Sequence, residues 1–205
     1  SPLLMNDLDL YSRPVTYVTF GITSNDKKQH SVKLLFDSSP DLAKNRSSQP
    51  EETNFYKRYG VAFQKTGTID QAVLKRKGDD VRIDWGYSYL AAPDQASIKL
   101  PKQKERTDVP VPPGPSPSEI EFMDLFKLEL DYGRVSTAPV QRTILLAYDD
   151  LYAIQYFNQN LQAWWKKNFS SAEEMIKKSL DEFGSIGARC EKFDKQLYED
   201  AVKAG

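Results

Sequence analysis

Val81-Arg82-Ile83-Asp84-Trp85-Gly86-Tyr87-Ser88-Tyr89 is the stretch whose pattern decides the fold class. Its odd positions are all bulky and its even positions polar or glycine, the two-residue period of a strand with one buried face. Gly78-Asp79-Asp80 supplies a turn ahead of it, which makes Val73 to Lys77 the expected preceding strand. Further upstream, Val15, Tyr17, Val18, Thr19, Phe20 and Ile22 crowd together. Ser24-Asn25-Asp26-Lys27 follows as a turn, and Val32, Leu34 and Phe36 then alternate with Lys33 and Asp37, so the pattern predicts a hairpin. The first 92 residues thus read mostly as strand, and Phe122 to Leu130 and Val140 to Ala147 add two runs of the same kind.

Between these runs, residues 101 to 117 hold six of the twelve prolines, five of them in Val109 to Pro117. Such a segment cannot donate ladder hydrogen bonds, and a proline-rich surface loop over 101–118 is expected. After Tyr148 the period changes. Leu151, Ile154, Phe157 or Asn158, Leu161 and Trp164 or Trp165 recur at helical spacing, with Asp149 or Asp150 placed as N-cap. A second helix is expected from Ser170 or Ser171, where Ser170 with Glu173 and Ser171 with Glu174 both fit a capping box. Its apolar stripe runs Ile176, Leu180, Phe183, Ile186, Cys190, Phe193 and Leu197, more surface than one neighbouring helix covers. The expected fold is mainly β, a supersandwich-like β-sandwich over 1–148 followed by helical linker elements over 149–205.

Composition narrows the function classes. With 205 residues, 40% of them apolar and 28% charged, the chain is ordinary globular material. A formal net charge of −1 with no strongly basic segment argues against a nucleic-acid partner. No window approaches 18 apolar residues, so no membrane span is expected. Cys190 is the only cysteine and His30 the only histidine, which removes intrachain disulfides, zinc clusters and most Ser-His or Cys-His catalysis. GxGxxG, P-loop, GxSxG and HExxH patterns are all missing, and no cofactor or metal is expected. The chain begins at Ser1 rather than Met, which reads as a processed protein or an excised domain.

Few residues could carry chemistry. His30 sits beside a turn and reads as a hairpin-end surface residue. Asp149-Asp150 is explained by helix capping, yet paired carboxylates can also divide acid and base roles, so both are kept with Trp85 as candidates for facing a substrate cleft. Asp79-Asp80 with Lys75-Arg76-Lys77 reads as a solvated hairpin end. Trp85, Tyr87 and Tyr89 on one face suit either the core or a sugar-stacking platform, and the interleaved Val81 and Ile83 favour the core. Adjacent Trp164 and Trp165 cannot both enter one local core, which makes them candidates for packing against another domain.

Taken together, LDLYSRPVTYVTF (Leu8 to Phe20), HSVKLLFDSS (His30 to Ser39), QAVLKRKGDDVRIDWGYSYLAAP (Gln71 to Pro93), LLAYDDLYAIQYF (Leu145 to Phe157) and EKFDKQLYEDAVKAG (Glu191 to Gly205) resemble the middle portion of glutaminase A-type proteins of fungi and bacteria, including gut Bacteroidetes. The resemblance spans nearly the whole chain, except the Asp41-to-Lys57 loop and the proline-rich insertion. It implies a β-supersandwich and linker helices ahead of a toroid of the six-hairpin glycosidase type. It also implies hydrolysis of L-glutamine to L-glutamate and ammonia by a secreted, periplasmic or cell-envelope protein. No family motif gives a catalytic role to a residue of this chain, so the implied acid and base lie in the toroid. The expectation is a supporting portion, inactive alone, whose partners are that downstream domain and a small amide or sugar substrate. The rival readings are a carbohydrate-binding or glycosidase accessory module and an interaction scaffold.

Overall fold

β-Branched and aromatic residues at alternate positions drive Val15–Ile22 (β1), His30–Ser38 (β2), Glu51–Arg58 (β3), Val61–Thr68 (β4) and Tyr87–Pro93 (β5) into strands. Ile98–Lys99 (β6), Phe126–Val135 (β7) and Val140–Asp149 (β8) follow, then two short strands at Ile154–Tyr156 (β9) and Gln159–Leu161 (β10). A one-turn helix at Leu8–Tyr11 (α1) precedes β1, and Ala172–Ala204 forms the long helix α2. The computed structural model describes residues 3–76, 78, 82–95, 98–99 and 126–205. The expected proline-rich loop over 101–118 lies outside the described residues, as do Lys77, Asp79, Asp80, Val81 and Phe122 to Leu125.

Among the described residues two antiparallel sheets carry the body, one of five strands in the order β1-β8-β5-β4-β3 and one of three in the order β2-β7-β6. The mainly β, sandwich-like class read from the alternation is what the chain adopts. Between the sheets, Leu90, Ala92 and Ile144 of the larger pack against Leu128, Leu130, Tyr132 and Val135 of the smaller. On the opposite face of the larger sheet, Val15, Phe63, Tyr89 and Leu145 meet Trp165, Met175 and Ile176. The central strands β8 and β5 of that sheet are thereby covered on both faces, and each large apolar side chain so buried is worth about 1.5–3 kcal/mol.

Several expectations are corrected. β1 and β2 do not form a hairpin. β1 pairs with β8 and β2 with β7, so the turn at Ser24 to Lys27 carries the chain from one sheet to the other. A two-residue period reports which face of a strand is buried and says nothing of which strand lies beside it. The strand expected over 81–89 begins only at Tyr87, because Asp84 and Trp85 turn inward before it. Val73 to Arg76 is not a strand; Val73 and Leu74 form a turn, with Leu74 at φ +53°. β3 and β4 make a true hairpin through Tyr59 and Gly60, both at positive φ as a tight two-residue turn demands.

The first helix expected after Tyr148 is also absent. Residues 154–161 form a β-hairpin turned at Phe157 and Asn158, whose φ values of +45° and +61° no helix allows. A single 3-10 turn at Trp164–Lys167 follows. Asp149 and Asp150 therefore cap no helix. The second helix does start at the capping box. Ser171 Oγ accepts from the Glu174 amide at 3.2 Å, and Glu174 reaches back to the Ser170 amide at 2.9 Å. Its first turns are pinned to the sheet by the Tyr17 hydroxyl, which donates to the Ser179 carbonyl, and by Arg13 with Glu182 at 2.7 Å. Among the described residues no helix is long and apolar enough to cross a membrane.

Candidate functional site: a braced acidic corner and its aromatic hairpin

The sequence candidates Trp85, Asp149 and Asp150 come from segments more than sixty residues apart, and the pairing of β5 with β8 brings them to one corner. Tyr87 lies opposite Asp149 in register, so Trp85 and Gly86 on one strand end meet Asp149 and Asp150 on the other. The approach is close enough that a Cβ on Gly86 would sit 2.1 Å from the Asp149 carbonyl oxygen, and Gly86 has φ +81°. Only glycine fits there. Tyr148 donates its hydroxyl to the Trp85 carbonyl at 2.6 Å, and Trp85 Nε1 donates to the Tyr152 carbonyl at 3.2 Å.

Beneath this junction lies Asp84, fully buried. Its Oδ2 accepts from Gln49 Nε2 at 2.8 Å and from Arg76 Nε at 2.5 Å, while Oδ1 has no hydrogen-bond partner. A buried charge without partners would cost several kcal/mol, so the Arg76 guanidinium is what makes the position tolerable. Gln71 clamps the next turn, accepting from the Gly86 amide and donating to the Gly86 and Thr68 carbonyls. Thr68 Oγ1 donates to the Asp84 carbonyl at 2.6 Å. Gln49 extends the brace into the preceding loop, where its Oε1 accepts the amides of Asn45 and Arg46.

The two adjacent aspartates have different surroundings. Asp149 Oδ1 accepts from the Leu151 amide at 3.0 Å and pairs with Lys166 Nζ at 2.5 Å. Asp150 is half-buried, its Oδ1 unpartnered. Burial pushes its carboxyl above the ordinary range; the Lys166 cation opposes that and the Asp149 charge adds to it. The same carboxylates act on Tyr148, whose hydroxyl is raised first by burial and then by Asp150, Asp84 and Asp149.

From this corner the hairpin β9–β10 projects, rooted by the Ala153 amide on the Leu161 carbonyl and by Lys166 Nζ on the Leu151 carbonyl. At its tip Phe157 is 83% exposed and Tyr156 62% exposed, the two rings edge-to-face at 4.5 Å. Trp164 is 46% exposed and fixed by its Nε1 donating to Asp9 Oδ1 at 2.7 Å. Trp165 is buried in the chain's own core. Of the adjacent pair, only Trp164 has surface to offer. Trp85 and Tyr89 are buried, and Tyr87 is half-buried under Lys65, whose ammonium stands 3.9 Å from the ring centre. These three rings therefore present no open stacking face. His30 lies at the far end of β2, its Nε2 2.9 Å from Asp26 Oδ1 on the surface.

Sequence reading missed Asp84, Arg76, Gln49 and Lys166. Asp84 falls on an even position, the polar side of the alternation, and Arg76 lies in a run of charged residues. The available signal was Gly86, a glycine interrupting a strand pattern without a turn, which marks close backbone approach. Among the described residues, no group of three or more His, Cys, Asp or Glu could hold a metal ion.

No curated protein matches the chain. The family model that matches does so over residues 1–200, nearly the full length, and carries the description "domain of unknown function", DUF5127. The braced corner and its hairpin, like the rest of the sandwich, are thus those of a chain that belongs to the DUF5127 family.

Proposed function

We propose that this chain is the β-sandwich and linker portion of a glutaminase A-like amidohydrolase, in which a toroid domain converts L-glutamine and water to L-glutamate and ammonia. The sandwich does no chemistry by itself; it braces the toroid and lends a rigid edge to the substrate cleft. The protein is secreted, periplasmic or held at the cell envelope. The observation that supports this reading is the aromatic hairpin: Tyr156 and Phe157 stand in solvent on a two-stranded element too small to be stable by itself. A hairpin held rigid at its root by Lys166 and the Asp149 turn, with apolar rings at its tip, is built to meet another surface.

The test is ammonia release from L-glutamine by the 205-residue chain alone, by the polypeptide in which a toroid follows it, and by that polypeptide carrying Phe157→Ser. The expected results are no turnover by the chain, turnover by the longer protein, and a lower rate or lower unfolding temperature in the variant. Full-rate turnover by the chain alone would overturn the division of labour, and no release by either would remove glutamine as the substrate.

A further inference from the structure

A cavity of about 260 Å³ opens on the inner face of the larger sheet, beside the end of β2. Its floor is the inner face of β4, β5 and β8, with Gln64, Ser88, Leu90 and Leu146. Its rim is Ser38 at the end of β2 and Leu42 in the 3-10 turn Pro40–Ala43, and Leu42 is exposed. It lies on the inter-sheet face, apart from the hairpin.

Two features distinguish this cavity from a packing gap. The first is Gln64, a strand residue 4% exposed whose Oε1 has no hydrogen-bond partner. A buried acceptor left without a donor costs about 1–3 kcal/mol, and a dry core would carry an apolar residue at this position. The second is the lining itself. Hydroxyls and one amide alternate with leucines, and none of the described residues that line it is charged. An ionised ligand would lose its hydration there with nothing to replace it. On that lining an uncharged ligand is favoured over a zwitterionic amino acid such as glutamine.

We infer that this cavity is a binding site for a small uncharged polyol, with Gln64 Oε1 as the acceptor for one ligand hydroxyl. The apolar C–H face of such a ligand lies on Leu90 and Leu146. Its remaining hydroxyls meet the Ser38 side chain, which can donate or accept, and the Ser88 hydroxyl, which donates to the Thr66 carbonyl at 3.4 Å and accepts from the ligand. Leu42 closes over the mouth. The site is independent of the amidohydrolase reading, and either can fail without the other.

The experiment is two-dimensional NMR of the intact chain titrated with D-glucose and with glycerol as polyol probes, propionamide as a neutral amide, and L-glutamine as a zwitterion. The expected result is saturable shifts for a polyol at the Gln64 side-chain amide and the Ser88 backbone amide, and none there for glutamine. Gln64→Leu removes the acceptor at similar volume and is expected to weaken polyol affinity about fivefold, one hydrogen bond's worth, with unchanged or raised thermal stability. Ser88→Ala is the second variant and is expected to weaken it by a smaller factor. Propionamide binding in place of polyol would replace the ligand class. Equal polyol affinity in wild type and Gln64→Leu, or no saturable shift with any probe, would overturn the site and leave a water-filled gap.

Discussion

Asp150→Asn separates the charge of this residue from its shape. In the folded chain its Oδ1 is buried with no partner, and burial raises the carboxyl above its ordinary range. Unfolded, it titrates near the reference value of about 3.9. A folded value above the unfolded one means that the native state holds the proton more tightly. Below about pH 3.9 both states are protonated and the penalty is absent; it grows as pH rises through the folded value. The groups that face Asp150 are Lys166, which offsets the cost, and Asp149, which adds to it. Asparagine keeps the shape and still leaves one polar atom without a partner, so the substitution isolates the charge. The extra cost of an unmet charged oxygen over a neutral one, discounted for partial exposure and for Lys166, is about 1 kcal/mol. For a chain of this length that is a rise in Tm of about 2–4 °C at pH 7. Urea unfolding at pH 7 and at pH 4, followed by tryptophan fluorescence, measures it. The expected gain at pH 7 shrinks towards zero at the lower pH. A loss of stability at pH 7, or an equal change at both values, refutes the reasoning.

Glu173 is the mirror case. Burial pushes it up, but the Tyr56 hydroxyl donating at 2.6 Å, with help from Lys65, carries the carboxyl below its ordinary range. Its contribution is present above the unfolded value of about 4.3 and is lost as pH falls through the folded one. Glu173→Gln is expected to cost about 1 kcal/mol at pH 7 and progressively less towards pH 3, with urea midpoints as the readout. Gly86→Ala is expected to cost about 3 kcal/mol, since it adds a Cβ into the Asp149 carbonyl at φ +81°, and a loss below about 1 kcal/mol in the same assay would contradict the close approach.

The legible parts of this fold were those decided by local pattern. β8 follows from Val140 to Ala147, and α2 from the Ser171–Glu174 box and a stripe of which Ile176 and Ile186 are buried. What was not legible depended on partners remote in the chain. Alternation in Val15–Ile22 and His30–Ser38 fits a hairpin as well as it fits two strands in separate sheets. The spacing of Ile154, Phe157 and Leu161 fits a helix and also a tight hairpin, and the choice was made by positive φ at Phe157 and Asn158, where no glycine stands as a signal. Asp84 defeated the alternation because its even position is buried rather than solvated, a choice that only Arg76 and Gln49 make affordable. The candidate corner is therefore half visible in the sequence, with its aspartates and Trp85 legible and its brace hidden.

The pairing of Val15 with Ala147 has a consequence for how the chain is made. The first long strand leaves the ribosome about 130 residues before the strand it must join, which at about 5–20 residues per second is on the order of ten seconds of waiting. During that interval Tyr17, Val18 and Phe20 have a bare backbone edge and no neighbour, the condition under which nascent segments stick to one another. Folding of this protein is accordingly expected to be slow and to gain from a chaperone that shields the amino-terminal stretch until Val140–Asp149 emerges.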